Sequence, residues 1–358
     1  DFVNTGEECT ALDEETYTED VYMYSATPLV MQSASNFSWN PFYSVFDPKP
    51  YNFQPVPNAV ESNDKQEKYM SGSFVTSDSA IGIVKTTWLP KEGFTNPGTG
   101  YVVEQMKVYS ADGGTYNDVR LGAWMDWDIP SDTGSNNFGG VVQADDYAWM
   151  QGREYDPGTA CTDSDGRFGA SGLLGYYTTT EYASDDLVNH TGLQGAYVHL
   201  DDDEFESGTD SLIVDSVWAW LNRGEFTANN TTPEDQQIML SYGGFNIAPG
   251  DTLVIYTVHA TVYNGDETAL ASLINEAKAW YLANRADFTL FSCCGAITGG
   301  YPGNTNCSED GKRNLADITK LIDHVYISKA DLCCNENGNV NASTDGKTNL
   351  ADITKLID

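Results

Sequence analysis

Oxygen-bearing side chains recur near the C-terminus at a spacing that suits a hard cation. Residues 303–323 read GNTNCSEDGKRNLADITKLID and residues 338–358 read GNVNASTDGKTNLADITKLID, an offset of 35 with differences at only four of 21 positions. A twelve-residue calcium loop offers oxygens from positions 1, 3, 5, 7, 9 and 12, and a glycine at position 6 permits the sharp turn. With Gly311 at position 6, the ligands are Asn306, Ser308, Asp310, the carbonyl of Lys312, Asn314 and Asp317. With Gly346 at position 6, they are Asn341, Ser343, Asp345, the carbonyl of Lys347, Asn349 and Asp352. The chemistry is the binding of two Ca2+ ions. Each loop has only two ligand carboxylates, so affinity is expected toward the weak extracellular end, on the order of 10⁻⁴ M or a decade or so tighter.

Other groupings are less complete. Asp126, Asp128 and Asp132, followed by Asn136 and Asn137, place oxygens at alternating positions after a strand and form a third candidate calcium site. Asp163-Ser-Asp165-Gly166 starts a similar pattern, but no ligand set completes it, and Asp201–Glu204 reads as a solvated acidic loop. HExxH, GxSxG, P-loop and strand-following GxGxxG motifs are absent. Of the four histidines, His199 and His259 fall in expected strands and read as structural, and His190 lies in a loop. Exposed Trp and Tyr side chains would make a sugar-stacking platform, whereas buried ones would fill a sandwich core.

Elements must position these groups. After the first loop, Ile318, Leu321, Ile322 and Val325 fall at i, i+3, i+4 and i+7, an amphipathic helical stripe beginning near Leu315. Ile353, Leu356 and Ile357 begin the same stripe before the sequence stops at Asp358, so a longer natural chain is expected. Upstream, apolar and alternating runs predict strands near 72–76, 79–88, 101–110, 117–125, 195–200, 211–221, 237–242 and 252–263, separated by turn-rich gaps. Asp266 is the expected cap of a helix with Leu270, Leu273, Ile274, Ala277 and Tyr281 on one face. The fold class is mainly β: a β-sandwich body with one or more helices, followed by a small α-helical module. Residues 1–65 read as an extended segment or arm, with the aromatic and proline-rich stretch 40–60 laid over the body. Residues 66–291 form the sandwich-rich body, and 292–358 the calcium repeat.

A loop followed by a single helix, duplicated, with Asp at position 12 and the form NLADITKLID, resembles the type I dockerin repeat. That resemblance covers about residues 295–358. It implies two F-hand calcium loops and a protein partner, cohesin-like or by self-assembly. This sequence has Asn at position 1 where the family favours Asp. It also has Leu315-Ala316 and Leu350-Ala351 at positions 10 and 11, where the family often carries polar recognition residues. More loosely, LGAWMDWDIPSD and the APGD turn look like non-catalytic β-regions that precede such tails in large secreted bacterial proteins.

The charge balance limits the partners. The chain has 18 basic and 53 acidic residues, a net charge of −35. Such a surface has few cations with which to release counterions from nucleic acid, and anionic membranes repel it. No run of apolar residues is long enough to span a bilayer. Five of seven cysteines (Cys293, Cys294, Cys307, Cys333 and Cys334) lie in the tail, a density that fits disulfides in an oxidising compartment. Zinc is the alternative, but no CxxC spacing occurs and His324 is the one histidine nearby. The odd count leaves a free thiol or a partner elsewhere. The expected location is secreted, extracellular or cell-surface. The chain begins at Asp1 and is expected to be a processed product or part of one. The leading expectation is a non-catalytic extracellular structural or tethering protein. The alternatives are the C-terminal accessory region of a secreted hydrolase, protease or glycosidase, and a carbohydrate-binding module that takes extracellular polysaccharide.

Overall fold

Strand-length runs of alternating apolar side chains assemble here into two large sheets. The computed structural model describes residues 3–4, 20–21, 23, 25–39, 51–55, 61–63, 69–90, 94–96, 99–127, 129, 137–152, 167–184, 188–200, 206–207, 211–228, 235–263, 265–289, 305, 315–327, 332 and 349–357. In chain order the strands are β1 (Val3–Asn4), β2 (Asp20–Val21), β3 (Ser25–Ser33), β4 (Asn36–Ser38), β5 (Gln54–Pro55), β6 (Glu61–Asn63), β7 (Tyr69–Val75), β8 (Ile81–Trp88), β9 (Phe94–Asn96) and β10 (Thr99–Ser110). They continue as β11 (Tyr116–Asp126), β12 (Phe138–Val142), β13 (Tyr147–Gln151), β14 (Phe168–Thr178), β15 (Gly195–Leu200), β16 (Glu206–Ser207), β17 (Ser211–Leu212), β18 (Phe226–Ala228), β19 (Gln236–Ile247) and β20 (Thr252–Val262). The larger sheet has the order β12-β13-β14-β20-β10-β8-β7-β5, with β6 added to β7 and β9 to β10. The second sheet runs β18-β15-β19-β11-β3-β4. Neighbours are antiparallel throughout both sheets except β15 and β18, which are parallel.

The core lies between the sheets. Ile81 and Ile83 of β8, Met106 and Val108 of β10, and Leu253 and Ile255 of β20 pack against Val119, Leu121 and Met125 of β11 and Ile238 and Leu240 of β19. Because strand side chains alternate between faces, Trp124 and Met239 point the other way. They join Leu29, Met31 and Trp39 in a second core beneath helix α2.

Three helices accompany the sheets: α1 (Thr179–Ser184), α2 (Val214–Arg223) and α3 (Glu267–Thr289). The run at 211–221 was expected to be a strand. Only Ser211–Leu212 is strand, and the remainder is α2. Its buried residues Val217, Trp220 and Leu221 stand at i, i+3 and i+4, the helical period. β-branched and aromatic content had favoured a strand, but burial of this stripe against β11 and β19 outweighs that propensity. Gly224, at φ 70, ends the helix in the left-handed conformation that a glycine adopts without steric cost. Helix α3 starts as expected: the Asp266 carboxylate accepts from the Ala269 amide at 2.9 Å. Leu270, Leu273, Ile274, Ala277 and Tyr281 are all buried. The Tyr281 ring lies 4.6 Å from that of Tyr256, on the outer face of β20.

Within the segment expected to be an arm, Ser25–Ser33 is a full strand paired with β11. Residues 51–55 do lie on the body, with Phe53 buried and Tyr51 stacked on Phe37 at 4.9 Å. The chain divides into two compact units, Asp1–Leu282 and Ala283–Asp358. In the second unit the helices Leu315–Ile322 and Leu350–Ile357 are joined through a small core of Leu321, Leu332 and Ile353.

Candidate functional site

The candidate groups fall in three places, two in the larger unit and one in the smaller. The first is on the inner face of the larger sheet. Ser171 of β14 is directly opposite His259 of β20. On β10, Glu104 pairs with Thr257 and is diagonal to His259, and on β8, Lys85 pairs with Met106 and is diagonal to Glu104. The four side chains therefore form a polar row across four strands. Ser171 Oγ is 2.8 Å from His259 Nδ1, His259 Nε2 is 3.9 Å from Glu104 Oε2, and Lys85 Nζ is 2.8 Å from the same carboxylate oxygen. Trp127 Nε1 donates to Ser171 Oγ at 3.3 Å. Opposite the row, the second sheet presents Ala26, Pro28, Ala123, Met125 and Tyr242, and a cavity of about 10 Å³ remains between them. That is room for about one water.

The electrostatics follow from burial. Desolvation pushes the His259 imidazole down to about 4; Glu104 opposes the shift and Lys85 adds to it. The ring is therefore neutral at pH 7, so the 3.9 Å approach to Glu104 is not an ion pair there. Burial also pushes the Tyr242 hydroxyl far up, helped by the Glu104 charge. A serine, an imidazole and a carboxylate in sequence match the components of a nucleophilic triad. Access decides against that chemistry. Ser171 is fully buried, Trp127 already occupies its oxygen, and the cavity cannot admit an acyl group. What remains is a buried proton-carrying row between the sheets.

The second place is the C-terminal repeat. Asp317 is fully buried in the first turn of the helix Leu315–Ile322. Thr305, also fully buried, donates from Oγ1 to the Asp317 carbonyl at 2.5 Å. This bond ties Thr305, the residue just before the first loop in sequence, to position 12 of that loop. In both copies a threonine hydroxyl bonds back within its helix, Thr319 to the Leu315 carbonyl at 2.7 Å and Thr354 to the Leu350 carbonyl at 3.0 Å. Asn349 is half-buried just before the helix Leu350–Ile357, which contains Asp352. Asn306, Ser308, Asp310, Lys312, Asn314, Asn341, Ser343, Asp345 and Lys347 lie outside the described residues, as do all seven cysteines.

The third candidate is only partly within view. Asp126 ends β11, in register with Ser25 and Gln237, while Asp128 and Asp132 lie outside the described residues. Asn137 is buried and donates Nδ2 to the Trp127 carbonyl at 2.9 Å, an anchor for the chain rather than a free ligand. His199 and His259 both lie in strands, as expected. His199 is fully buried, its ring stacked on Tyr197 and edge-on to Trp124. None of the eight tryptophans is exposed, while Tyr326 is. Glu104 and Lys85 went unrecognised in the sequence, yet a signal was there. Both stand on the inward phase of their strands, in line with Met106 and Val108 and with Ile81 and Ile83.

No family model matches the sequence, and no curated protein matches it. Among solved structures the chain is similar to a bacterial glucoamylase complexed with acarbose, at 12% identity and a TM-score of 0.40, over 71% of this chain and 28% of that one. This chain thus spans less than a third of that protein's length. The expectation of a non-catalytic tether is set aside on this finding. The tethering role is corrected accordingly. At that TM-score no residue, substrate or activity is carried over from the glucoamylase.

Proposed function

We propose that the C-terminal repeat binds two calcium ions and that this chain is a calcium-dependent protein of an oxidising, extracellular setting. The observation that carries the reading is the bond between Thr305, just before the first loop in sequence, and Asp317, its last position. Thr305 bonds to the Asp317 carbonyl at 2.5 Å, and the buried Asp317 side chain stands at position 12. Calcium would be held by Asn306, Ser308, Asp310, the Lys312 carbonyl, Asn314 and Asp317. The second ion would be held by Asn341, Ser343, Asp345, the Lys347 carbonyl, Asn349 and Asp352. When bound, the ion neutralises the two carboxylates of each loop and fixes the backbone turn. This chain's own contribution is the buried seam of Leu321, Leu332 and Ile353, which orients the helices that carry both position-12 aspartates. The acidic composition and the clustered tail cysteines support the extracellular setting.

Calorimetric titration of metal-stripped protein with calcium tests the proposal. The expected result is two sites with Kd on the order of 10⁻⁴ M or a decade or so tighter. Asp317→Asn and Asp352→Asn should each remove one of them. Absence of binding heat, together with an unchanged melting curve up to roughly 10 mM calcium, would overturn it.

A further inference from the structure

The row Ser171–His259–Glu104–Lys85 has a defined proton arrangement. Trp127 Nε1 has only a hydrogen to give, and it gives it to Ser171 Oγ. The serine hydroxyl is then free to donate its own hydrogen to His259 Nδ1, 2.8 Å away. The ring proton of the neutral imidazole therefore sits on Nε2, which faces the Glu104 carboxylate, an acceptor. Each member is oriented by the next, and the row ends on Lys85, the most exposed of the four with 28% of its side chain accessible.

We propose that this row is an acid-sensitive latch across four strands of the larger sheet, on the face that packs against the second sheet, released when His259 takes up a second proton. That proton can go only to Nδ1. Ser171 then loses the acceptor for its hydroxyl hydrogen, and a full positive charge appears between the sheets. Among the described residues, the groups facing it are few. Glu104 on β10 would welcome the charge, but Lys85 on β8 already engages the same oxygen at 2.8 Å. Tyr242 on β19 is neutral. Ala26 and Pro28 on β3, and Ala123 and Met125 on β11, are apolar. The next charge on the inner face near β14 is Arg167, also positive, which lies over the Tyr263 ring at 5.6 Å. The surroundings thus favour the neutral ring, in agreement with its depression to about 4.

The sign is fixed by linkage. The folded-state value lies below the ordinary 6.5 of an unfolded histidine, so the folded protein binds fewer protons between these values. The contribution is complete above pH 6.5, is lost progressively as pH falls toward 4, and loses no more below that.

The test compares urea unfolding of wild-type protein and His259→Gln across this window at constant ionic strength and constant calcium. Comparing the two proteins cancels the titration of the many surface carboxylates. The ratio of their unfolding constants should change on the order of 100-fold between neutral pH and about pH 4. Glu104→Gln should extend the loss to lower pH and enlarge it, because it removes the charge that favours protonation. In wild-type protein the His259 ring resonances should titrate well below 6.5, and amide protection factors in β14 and β20 should fall in step. The ring titration and amide exchange need no variant and decide the matter if His259→Gln fails to fold. Parallel pH profiles for wild type and variant, a folded-state His259 titrating near its ordinary value, or exchange in β14 and β20 that ignores that titration would overturn the latch.

Discussion

Asp78 stands in the turn between β7 and β8, and its carboxylate joins the edges of the two sheets. It accepts from Thr76 Oγ1 at 2.6 Å and the Ala80 amide at 3.0 Å within its own turn. It also accepts from Asn36 Nδ2 and Gln32 Nε2, both at 2.9 Å, in the β3–β4 hairpin of the other sheet. Partial burial pushes this carboxyl up, but the hydrogen bonds outweigh it and hold the group below the ordinary value of 3.8. A depressed carboxylate adds stability above its unfolded value and loses it as pH falls through the folded one. Asp78→Asn should therefore lower stability at pH 7 by about 1 kcal/mol, the effect of charge being reduced by solvent exposure. The gap between wild type and variant should close as pH drops below 3.8, which melting temperatures at a series of pH values would show. Glycine acts at the same scale elsewhere. Gly169 lies against the Trp127 indole, where a Cβ would collide, so the tryptophan that donates to Ser171 is seated by the lack of a side chain on β14.

Among the elements, helix α2 shows where local pattern and tertiary packing diverge. Leu221 is fully buried beside Val217 and Trp220, against Trp124 and Met239 of the second sheet. Leu221→Ala should cost about 2–5 kcal/mol, read from the urea midpoint of the larger unit. A surface change such as Asp215→Asn, at the exposed start of the same helix, should leave that midpoint nearly unmoved. Much of the body was legible. Alternation located β8, β10, β11, β15 and β20, and the Asp266 cap with its apolar stripe located α3. β14 was missed because FGASGLLGYYT is glycine-rich and nearly all of it is buried, so alternation disappears. β3 was missed because Ser, Ala, Thr and Pro break the pattern, although Leu29, Val30 and Met31 are buried against different partners on its two faces. The tail helices were legible from repetition alone, since two near-identical copies carry the same stripe. The polar row was not. Its members are 85, 104, 171 and 259 in the chain, and only strand register brings them together.

The chain comprises two compact units, and the two depend on different forces. Unit Asp1–Leu282 is held by apolar area between and outside two sheets. Unit Ala283–Asp358 has, among its described residues, a core of only three buried side chains, Leu321, Leu332 and Ile353. Small domains bury too little surface to be stable alone and usually need disulfides or a metal. The net charge of −35 adds self-repulsion that a divalent cation relieves more effectively than sodium does. Calcium at roughly 100 times Kd would stabilise each loop by about 2.7 kcal/mol. Scanning calorimetry of the full chain should therefore resolve two transitions. Adding a chelator should lower the smaller one, associated with the tail, and leave the body transition within about 1–2 °C of its position, because none of the proposed loop ligands lies in the sandwich. Asp317→Asn should reproduce half of the chelator's effect without chelator, and Leu321→Ala should lower the same transition even with calcium present, by removing its apolar seam. Two transitions that moved together on chelation would instead mean that calcium acts on the sandwich. The candidate at Asp126, Asp128 and Asp132 would then be the place to look.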